Sequence, residues 1–149
     1  MIGAIIAKIL VKKGFKDFSN RNIDSFLAAW SPQAIFHYPG TAQASGTFTG
    51  QANIRAWFER MLAQYPGIDF TVKRVCVQNI FDLVGSNYVI AEWDVRLKRS
   101  DGRIFENSGT TGMNLRFGKV IEVRDFIFDL DTVNEGWRTA SAELGGAEG

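Results

Sequence analysis

Cysteine and histidine are nearly absent from this chain. It has one cysteine, Cys76, and one histidine, His37, among 149 residues. A lone cysteine excludes an internal disulfide, and protein zinc sites are built from several cysteine and histidine ligands. We therefore predict no metal centre and no disulfide framework. Because Cys76 alternates with apolar neighbours, we predict that it is an inert, buried thiol.

An excess of charge of either sign is also missing. The chain has 17 basic and 16 acidic residues, a formal net charge of +1, and no basic stripe along the sequence. Nucleic acids and acidic membrane surfaces attract proteins that carry clustered positive charge. The charge pattern therefore predicts neither a nucleic-acid partner nor a membrane partner.

The first eleven residues are apolar but do not read as a targeting segment. No positive region precedes them, Lys8 interrupts them, and two lysines follow where a cleavage site would need small residues. They are too few to span a bilayer. Isoleucine and leucine recur instead at helical spacing, at Ile2, Ile5, Ile6, Ile9 and Leu10. We predict an amphipathic first helix and a cytoplasmic protein.

The rest of the chain changes from helical to alternating periodicity. Asn22 is a candidate N-cap for a short second helix, and apolar spacing predicts a third helix over 51–65. A short strand over 34–38 and a loop over 39–50 separate these two helices. Strict alternation then predicts four long strands, over 68–80, 87–99, 103–117 and 119–129. The pattern predicts one α+β domain over 1–131, with helices packed on one side of an antiparallel sheet, and a polar tail over 132–149.

The most informative residue is an aspartate on the last predicted strand. Read with period 2, one face of that strand carries Ile121, Val123, Asp125, Ile127 and Asp129. A carboxylate between apolar neighbours on a core-facing surface is poorly solvated, which raises its pKa. Such a carboxyl group can transfer a proton near neutral pH. Asp125 is therefore the leading candidate for a catalytic acid or base.

The run Leu-Arg-Phe-Gly-Lys-Val-Ile-Glu-Val-Arg-Asp-Phe-Ile-Phe-Asp at 115–129, together with the order of elements, resembles a known family. It is similar to the SnoaL-like branch of the nuclear transport factor 2-like, or cystatin-like, superfamily, over roughly 14–130. The resemblance implies a cone-shaped, curved sheet with three N-terminal helices that enclose a pocket. In polyketide cyclases of this type, an aspartate on the last strand acts as general acid/base in ring closure, and Asp125 matches that strand.

Other enzymes of the superfamily fit the sequence less well. Ketosteroid isomerase has two site carboxyls where this chain has Tyr38 and Met113, and scytalone dehydratase uses two histidines where this chain has His37 alone. Limonene epoxide hydrolase uses an Asp-Arg-Asp relay. Asp94 and Arg96 are close to its strand, but alternation places them on the face opposite Trp93. A bulge or register slip would be needed to turn them inward.

Further site residues follow from the predicted faces. Tyr38 and His37 are candidate catalytic partners of Asp125, although neighbours on a strand point to opposite faces. The candidate ligand-binding residues, aromatic or inward-facing, are Trp30, Trp57, Trp93, Asn107, Thr111, Met113 and Ile127. Trp137 either folds back over the pocket or docks on a partner chain.

Together these features predict a small enzyme without cofactor or metal. We expect an isomerase, cyclase or dehydratase in which Asp125 moves a proton on a hydrophobic carbonyl compound, while Tyr38, His37 or Asn107 binds the oxygen. The alternatives are a non-catalytic module that binds a small apolar or aromatic molecule, a hydrolase of the limonene epoxide type, and a structural dimerisation domain. A homodimer is expected under each of them.

Overall fold

The computed structural model describes residues 2–138, which form four helices and a six-stranded sheet. In chain order these are α1 (Ile2–Ser19), α2 (Ile23–Ala28), β1 (Trp30–Tyr38), β2 (Gly46–Thr49), α3 (Gln51–Gln64), β3 (Gly67–Val77), β4 (Asn87–Lys98), β5 (Ile104–Arg116), β6 (Lys119–Ile127) and α4 (Leu130–Gly136). The predicted α+β class is confirmed.

The sheet is curved and open, with strand order β2-β1-β6-β5-β4-β3. The four long strands predicted from alternation are β3 to β6, and each pairs antiparallel with its neighbour in sequence. One pair departs from the predicted antiparallel sheet, because β1 runs parallel to β6. The segment 39–50, predicted as a loop, contains the short edge strand β2. The first strand is also longer than predicted, since it begins at Trp30.

The helices α2 and α3 begin where their sequences predict, and α3 also ends there. The helix α2 was predicted to continue through Trp30 but ends at Ala28, because Trp30 already belongs to β1. The Asn22 side chain caps α2 by accepting a hydrogen bond from the Ser25 backbone N–H at 3.2 Å, which satisfies one of the free donors of the first turn. The helix α3 ends before Pro66, because a proline disfavours helical backbone in the residue before it. Its inner face buries Ile54, Trp57, Phe58, Met61 and Leu62.

Aromatic rings fill the space between α3 and the sheet. The ring centroids of Phe26 and Phe58 are 4.8 Å apart, as are those of Phe36 and Trp57, both edge to face. Phe18 packs on the same cluster at 5.1 Å from Phe58. Edge-to-face pairs add to the free energy gained from burying each ring. The frequent phenylalanines of the sequence thus form the wall between the helices and the sheet.

Helix α1 presents a different face to the protein than its isoleucines suggest. The buried residues are Ala4, Ala7, Val11 and Phe18, whereas Ile2, Ile5, Ile6 and Ile9 are exposed. A side chain on Gly3 would collide with the backbone of Asp82, since its Cβ would lie 2.3 Å from the carbonyl oxygen. Small residues therefore set how closely α1 approaches the protein. No helix within residues 2–138 is long and apolar enough to cross a bilayer.

Two bulges shift the faces of the strands. The register of β3 against β4 changes between Val72 and Arg74, so Cys76 is exposed and its predicted burial is wrong. On β6 the register against β5 changes where Leu115 pairs with Val120. An extra residue in one strand moves the following side chains to the opposite face. The inward residues of β6 are consequently Val120, Val123, Asp125 and Ile127, without Ile121.

The start of the predicted polar tail is helical. Asp129 caps α4, its side chain accepting a hydrogen bond from the Thr132 backbone N–H at 3.0 Å. After α4, Trp137 is buried with 6% of its surface exposed. The first part of the tail predicted over 132–149 is therefore an ordered helix with a buried tryptophan after it. Residues 139–149 lie outside the described residues.

Candidate functional site

A cavity of about 110 Å³ lies between the helices and the inner face of the sheet. Its walls combine the four helices and all the strands except β2. Of the ten predicted site residues, nine line it: Trp30, Tyr38, Trp57, Trp93, Asn107, Thr111, Met113, Asp125 and Ile127. Their roles in catalysis and ligand binding stay predictions, but the sheet brings them to one space.

Three polar side chains form a row across the middle of the sheet. Thr111 of β5 pairs directly with Asp125 of β6. On the other side, His37 of β1 pairs with Arg124 in the parallel ladder, so Tyr38 is next in register to Asp125. Tyr38, Asp125 and Thr111 all line the cavity. Asp125 therefore stands between a phenol and a hydroxyl on a mainly apolar wall.

Asp125 has the environment of a carboxyl group that titrates near neutral pH. Burial raises its pKa to about 7, although the hydrogen bond from Thr111 acts in the opposite direction. The side chain keeps some accessible surface because it faces the cavity. Desolvation disfavours the carboxylate, whereas a donated hydrogen bond favours it. Here desolvation is the larger effect, so both protonation states are populated near pH 7.

A chain of hydrogen bonds fixes the orientation of Asp125. The Trp93 indole Nε1 donates to Thr111 Oγ1 at 2.9 Å, and Thr111 Oγ1 donates to Asp125 Oδ1 at 2.6 Å. Since Thr111 already accepts from Trp93, its own proton is directed to the carboxyl group. Asp125 Oδ2 has no hydrogen-bond partner within residues 2–138. That oxygen is the one available to a ligand in the cavity.

A glycine makes room for the indole that begins this chain. Gly109 of β5 pairs with Trp93 of β4. A Cβ at Gly109 would lie 2.8 Å from the Trp93 ring and 2.6 Å from the Phe126 carbonyl oxygen. Trp93 therefore lies over the backbone at Gly109, where its Nε1 reaches Thr111.

Tyr38 supplies a second polar group beside the carboxyl group. Its hydroxyl oxygen accepts a hydrogen bond from the Trp137 indole Nε1 at 3.3 Å. Burial raises its pKa well above the ordinary value, and the nearby charge of Asp125 adds to that rise. Tyr38 thus stays protonated at physiological pH. No residue within 2–138 accepts its hydroxyl proton, so a ligand oxygen could.

Asn107 lines the cavity but its amide is used by the protein. Its Nδ2 donates to the Asp129 carbonyl oxygen at 2.7 Å, and its Oδ1 accepts from the Asp129 backbone N–H at 3.1 Å. These two bonds fix the chain where β6 ends and α4 begins. Asn107 therefore positions α4, and with it Trp137, at the end of the cavity.

The structure does not bring His37 to the cavity. The ring lies on the outer face of the sheet, where Nδ1 is 2.9 Å from Thr47 Oγ1 and Nε2 is 3.0 Å from Glu122 Oε1. Adjacent residues of a strand point to opposite faces, and Tyr38 takes the inner one. The prediction that His37 is a catalytic partner of Asp125 is therefore wrong.

The Asp-Arg pair of the epoxide hydrolase alternative also faces outward. Asp94 forms an ion pair with Lys73 at 2.8 Å, and Arg96 lies 3.5 Å from Glu106. The β4–β5 register is regular through both residues, so no bulge turns them inward. The hydrolase relay is not assembled at the cavity.

Tyr65 and Trp137 also line the cavity, although neither is among the ten predicted site residues. Tyr65 is buried where α3 ends, and burial raises its pKa above the ordinary value. Trp137 closes the cavity beyond α4, where the Arg60 guanidinium lies 5.3 Å from its ring centroid. The sequence left the position of Trp137 open. Only the N-cap signal at Asp129 could have indicated an ordered helix before it.

Solved structures with low sequence identity share this fold. Bal32a, from a soil-derived mobile gene cassette, is 22% identical with a TM-score of 0.79, covering 91% of this chain and 99% of its own. A putative isomerase from Bacillus subtilis is 23% identical, with a TM-score of 0.74 and coverage of 99% and 98%. TerC, co-crystallized with polyporic acid, is 16% identical, with a TM-score of 0.75 and coverage of 90% and 99%.

Likeness at these identities shows the fold and no particular activity. No curated protein matches the chain significantly. The profile of the SnoaL-like domain matches residues 11–125, a span that contains α3, the five longer strands to Asp125, and most of the cavity wall. The chain belongs to the SnoaL-like domain family, within the nuclear transport factor 2-like fold.

Proposed function

We propose that this protein is a cofactor-independent enzyme that moves a proton on a small, hydrophobic carbonyl compound bound in the cavity. The observation that carries the proposal is the position of Asp125, the one acidic side chain within residues 2–138 that lines a mainly apolar cavity, where burial raises its pKa to about 7. A general acid/base works best when its pKa lies near the operating pH. Isomerisation, ring closure and dehydration each begin with such a proton transfer.

Asp125 and Tyr38 have complementary roles in this reaction. The Asp125 carboxylate removes a proton from the carbon next to the carbonyl, and the resulting carboxylic acid returns it to another position. The negative charge that develops on the carbonyl oxygen accepts a hydrogen bond from the Tyr38 hydroxyl. A donor held in a dry site stabilises such an oxyanion more than the same donor does in water.

The cavity favours a small, largely apolar substrate. Its volume of about 110 Å³ is below the roughly 300–1,000 Å³ of sites for drug-sized ligands. Its wall is mainly aromatic and aliphatic, which suits a flat ring. TerC, a structure of the same fold, was co-crystallized with polyporic acid, and another is described as a putative isomerase. Both descriptions are compatible with the proposal.

Proton exchange provides the test without knowledge of the natural substrate. Small cyclic ketones such as 2-cyclohexenone and 1-tetralone serve as probes, with loss of their α-proton signals in D2O followed by NMR. We expect exchange by the wild type above the buffer rate, and a roughly 10²–10⁴-fold lower rate for Asp125→Asn, the usual contribution of a general base. Tyr38→Phe should also slow exchange, whereas Asp129→Asn should not.

The second candidate is a non-catalytic module that holds an apolar ligand. It is favoured by the same cavity wall, in which few polar groups could orient a reaction. Native mass spectrometry of the purified protein would detect a co-purifying compound. If such a compound binds wild type and Asp125→Asn equally and is never converted, the protein is a binding module and the catalytic proposal fails.

A further inference from the structure

Apolar side chains are exposed together at one end of the molecule. Four belong to α1 and four to the β3–β4 loop, and one follows β5; each has 52–82% of its surface exposed. We call this set the apolar patch: Ile2, Ile5, Ile6, Ile9, Ile80, Phe81, Leu83, Val84 and Phe117. Contiguous exposed apolar surface of this kind marks an interaction site in a folded protein.

Backbone contacts join the three segments of the patch. A Cβ on Gly3 would overlap the Asp82 backbone, so the first turn of α1 lies directly on the loop. The Gly118 backbone N–H donates to the Gly85 carbonyl oxygen at 2.9 Å, and the Phe117 N–H donates to Ser86 Oγ at 3.4 Å. The turn after β5 is thereby held beside the same loop.

A buried aspartate holds the β3–β4 loop in the conformation that exposes its apolar side chains. Asp82 is 3% exposed, and its Oδ1 accepts hydrogen bonds from the backbone N–H groups of Val84 and Ser86 at 3.0 and 3.1 Å. These bonds fix the turn that points Leu83 outward. Because its only carboxylate is buried, the loop presents no exposed negative charge.

Positive charge borders the patch. Residues 2–16 contain four lysines and no acidic residue, and all four lysines are exposed: Lys8, Lys12, Lys13 and Lys16. Lys13 forms an ion pair with Asp17, so Lys8, Lys12 and Lys16 carry the positive charge of this border. The isoleucines occupy the outer face in the first half of α1, and lysines occupy it in the second half. The net charge of +1 for the whole chain conceals this local separation. The sequence-based expectation of no membrane partner rested on that total and on finding no basic stripe, and it did not take account of this local run of lysines.

We propose that the apolar patch docks on the surface of an anionic lipid bilayer. Amphipathic helices that bind membranes combine an inserted apolar face with lysines that meet acidic headgroups. A second copy of this chain is a poorer occupant, since two basic borders would repel each other across the interface. Charge complementarity therefore favours the bilayer.

Vesicle co-sedimentation tests this inference. We expect wild type to bind vesicles of equimolar phosphatidylglycerol and phosphatidylcholine, to bind pure phosphatidylcholine far less, and to dissociate as salt is raised. The double variant Ile5→Ser, Ile9→Ser should lose roughly tenfold or more in partitioning, given the transfer free energy of each side chain. Lys12→Gln with Lys16→Gln should lose binding to the acidic vesicles.

Phe128→Ser is the matched control, because Phe128 is 89% exposed but lies beside Ser108, at the other end of β5 from Phe117. It should bind like wild type, and all variants should keep the wild-type melting temperature. Absence of wild-type binding, or equal binding by the isoleucine variant, would overturn the proposal. A lipid-free dimer by light scattering that becomes monomeric in the isoleucine variant would overturn it too, since a second copy would then be the occupant.

Discussion

Replacing Asp125 with asparagine should make the stability of the protein depend on pH in a new way. Asparagine keeps an oxygen that accepts the hydrogen bond from Thr111, but it cannot ionise. In the wild type, burial raises the pKa of Asp125 from 3.8 to about 7. If the difference in unfolding free energy between the two proteins varies with pH over this range, the variation therefore reports the ionisation of Asp125.

The sign follows from which state binds the proton more tightly. Below about pH 4 Asp125 is protonated in both the folded and the unfolded chain, so its titration does not affect stability. Between about pH 4 and 7 the unfolded chain ionises while the folded protein keeps its proton. Wild type therefore loses stability relative to the variant as pH rises, and the loss is complete above the folded pKa.

The magnitude follows from the pKa difference. A span of about three pH units at about 1.4 kcal/mol each gives on the order of 4 kcal/mol at pH 8. Chemical denaturation of both proteins from pH 4 to 8 measures it. Asp129→Asn is the control, because hydrogen bonds from Thr132 lower the pKa of Asp129, so its stabilisation is lost as pH falls instead. A difference in unfolding free energy between wild type and Asp125→Asn that stays constant with pH would show that burial does not raise the pKa of Asp125.

Three further predictions concern the residues around Asp125. Thr111→Val removes the hydrogen bond that lowers the Asp125 pKa, so carboxyl NMR should find that pKa higher than in wild type, and an unchanged value would contradict the hydrogen-bond chain. Gly109→Ala places a Cβ 2.8 Å from the Trp93 ring and should cost roughly 1–3 kcal/mol of stability by denaturation, whereas Gly14→Ala, whose nearest contact is 3.8 Å away, should cost nothing. Trp137→Ala should destabilise by about 3–5 kcal/mol and admit larger ligands, and a neutral effect would show that α4 does not close the cavity.

The sequence predicted the inner face of the sheet well where alternation is regular. Thr111 and Met113 on β5 and Trp93 on β4 face the cavity as expected, because these strands pair without a register shift at those positions. Asp125 and Ile127 follow the same rule on β6. In a regular strand, successive side chains point to opposite faces. The face of each residue can therefore be read from its position in the sequence.

The sequence-based predictions were wrong where the local pattern of residues does not determine whether a side chain is buried. A bulge is one extra residue without a sequence signal of its own, and it turned Cys76 outward and removed Ile121 from the inner face. The isoleucines of α1 repeat at helical spacing, but close approach at Gly3 and the alanines decided which face is buried. The order of α4 depends on Asn107, which is distant in sequence.

The proposed proton transfer requires that the Asp125 carboxyl group titrates near neutral pH in the cavity. Carbon-13 NMR of the aspartate carboxyl signals, assigned by comparison with Asp125→Asn, measures its pKa directly. We expect a midpoint of about 7. A midpoint near the ordinary aspartate value of 3.8 would contradict it, because the carboxylate would then be solvated and unsuited to proton transfer at neutral pH.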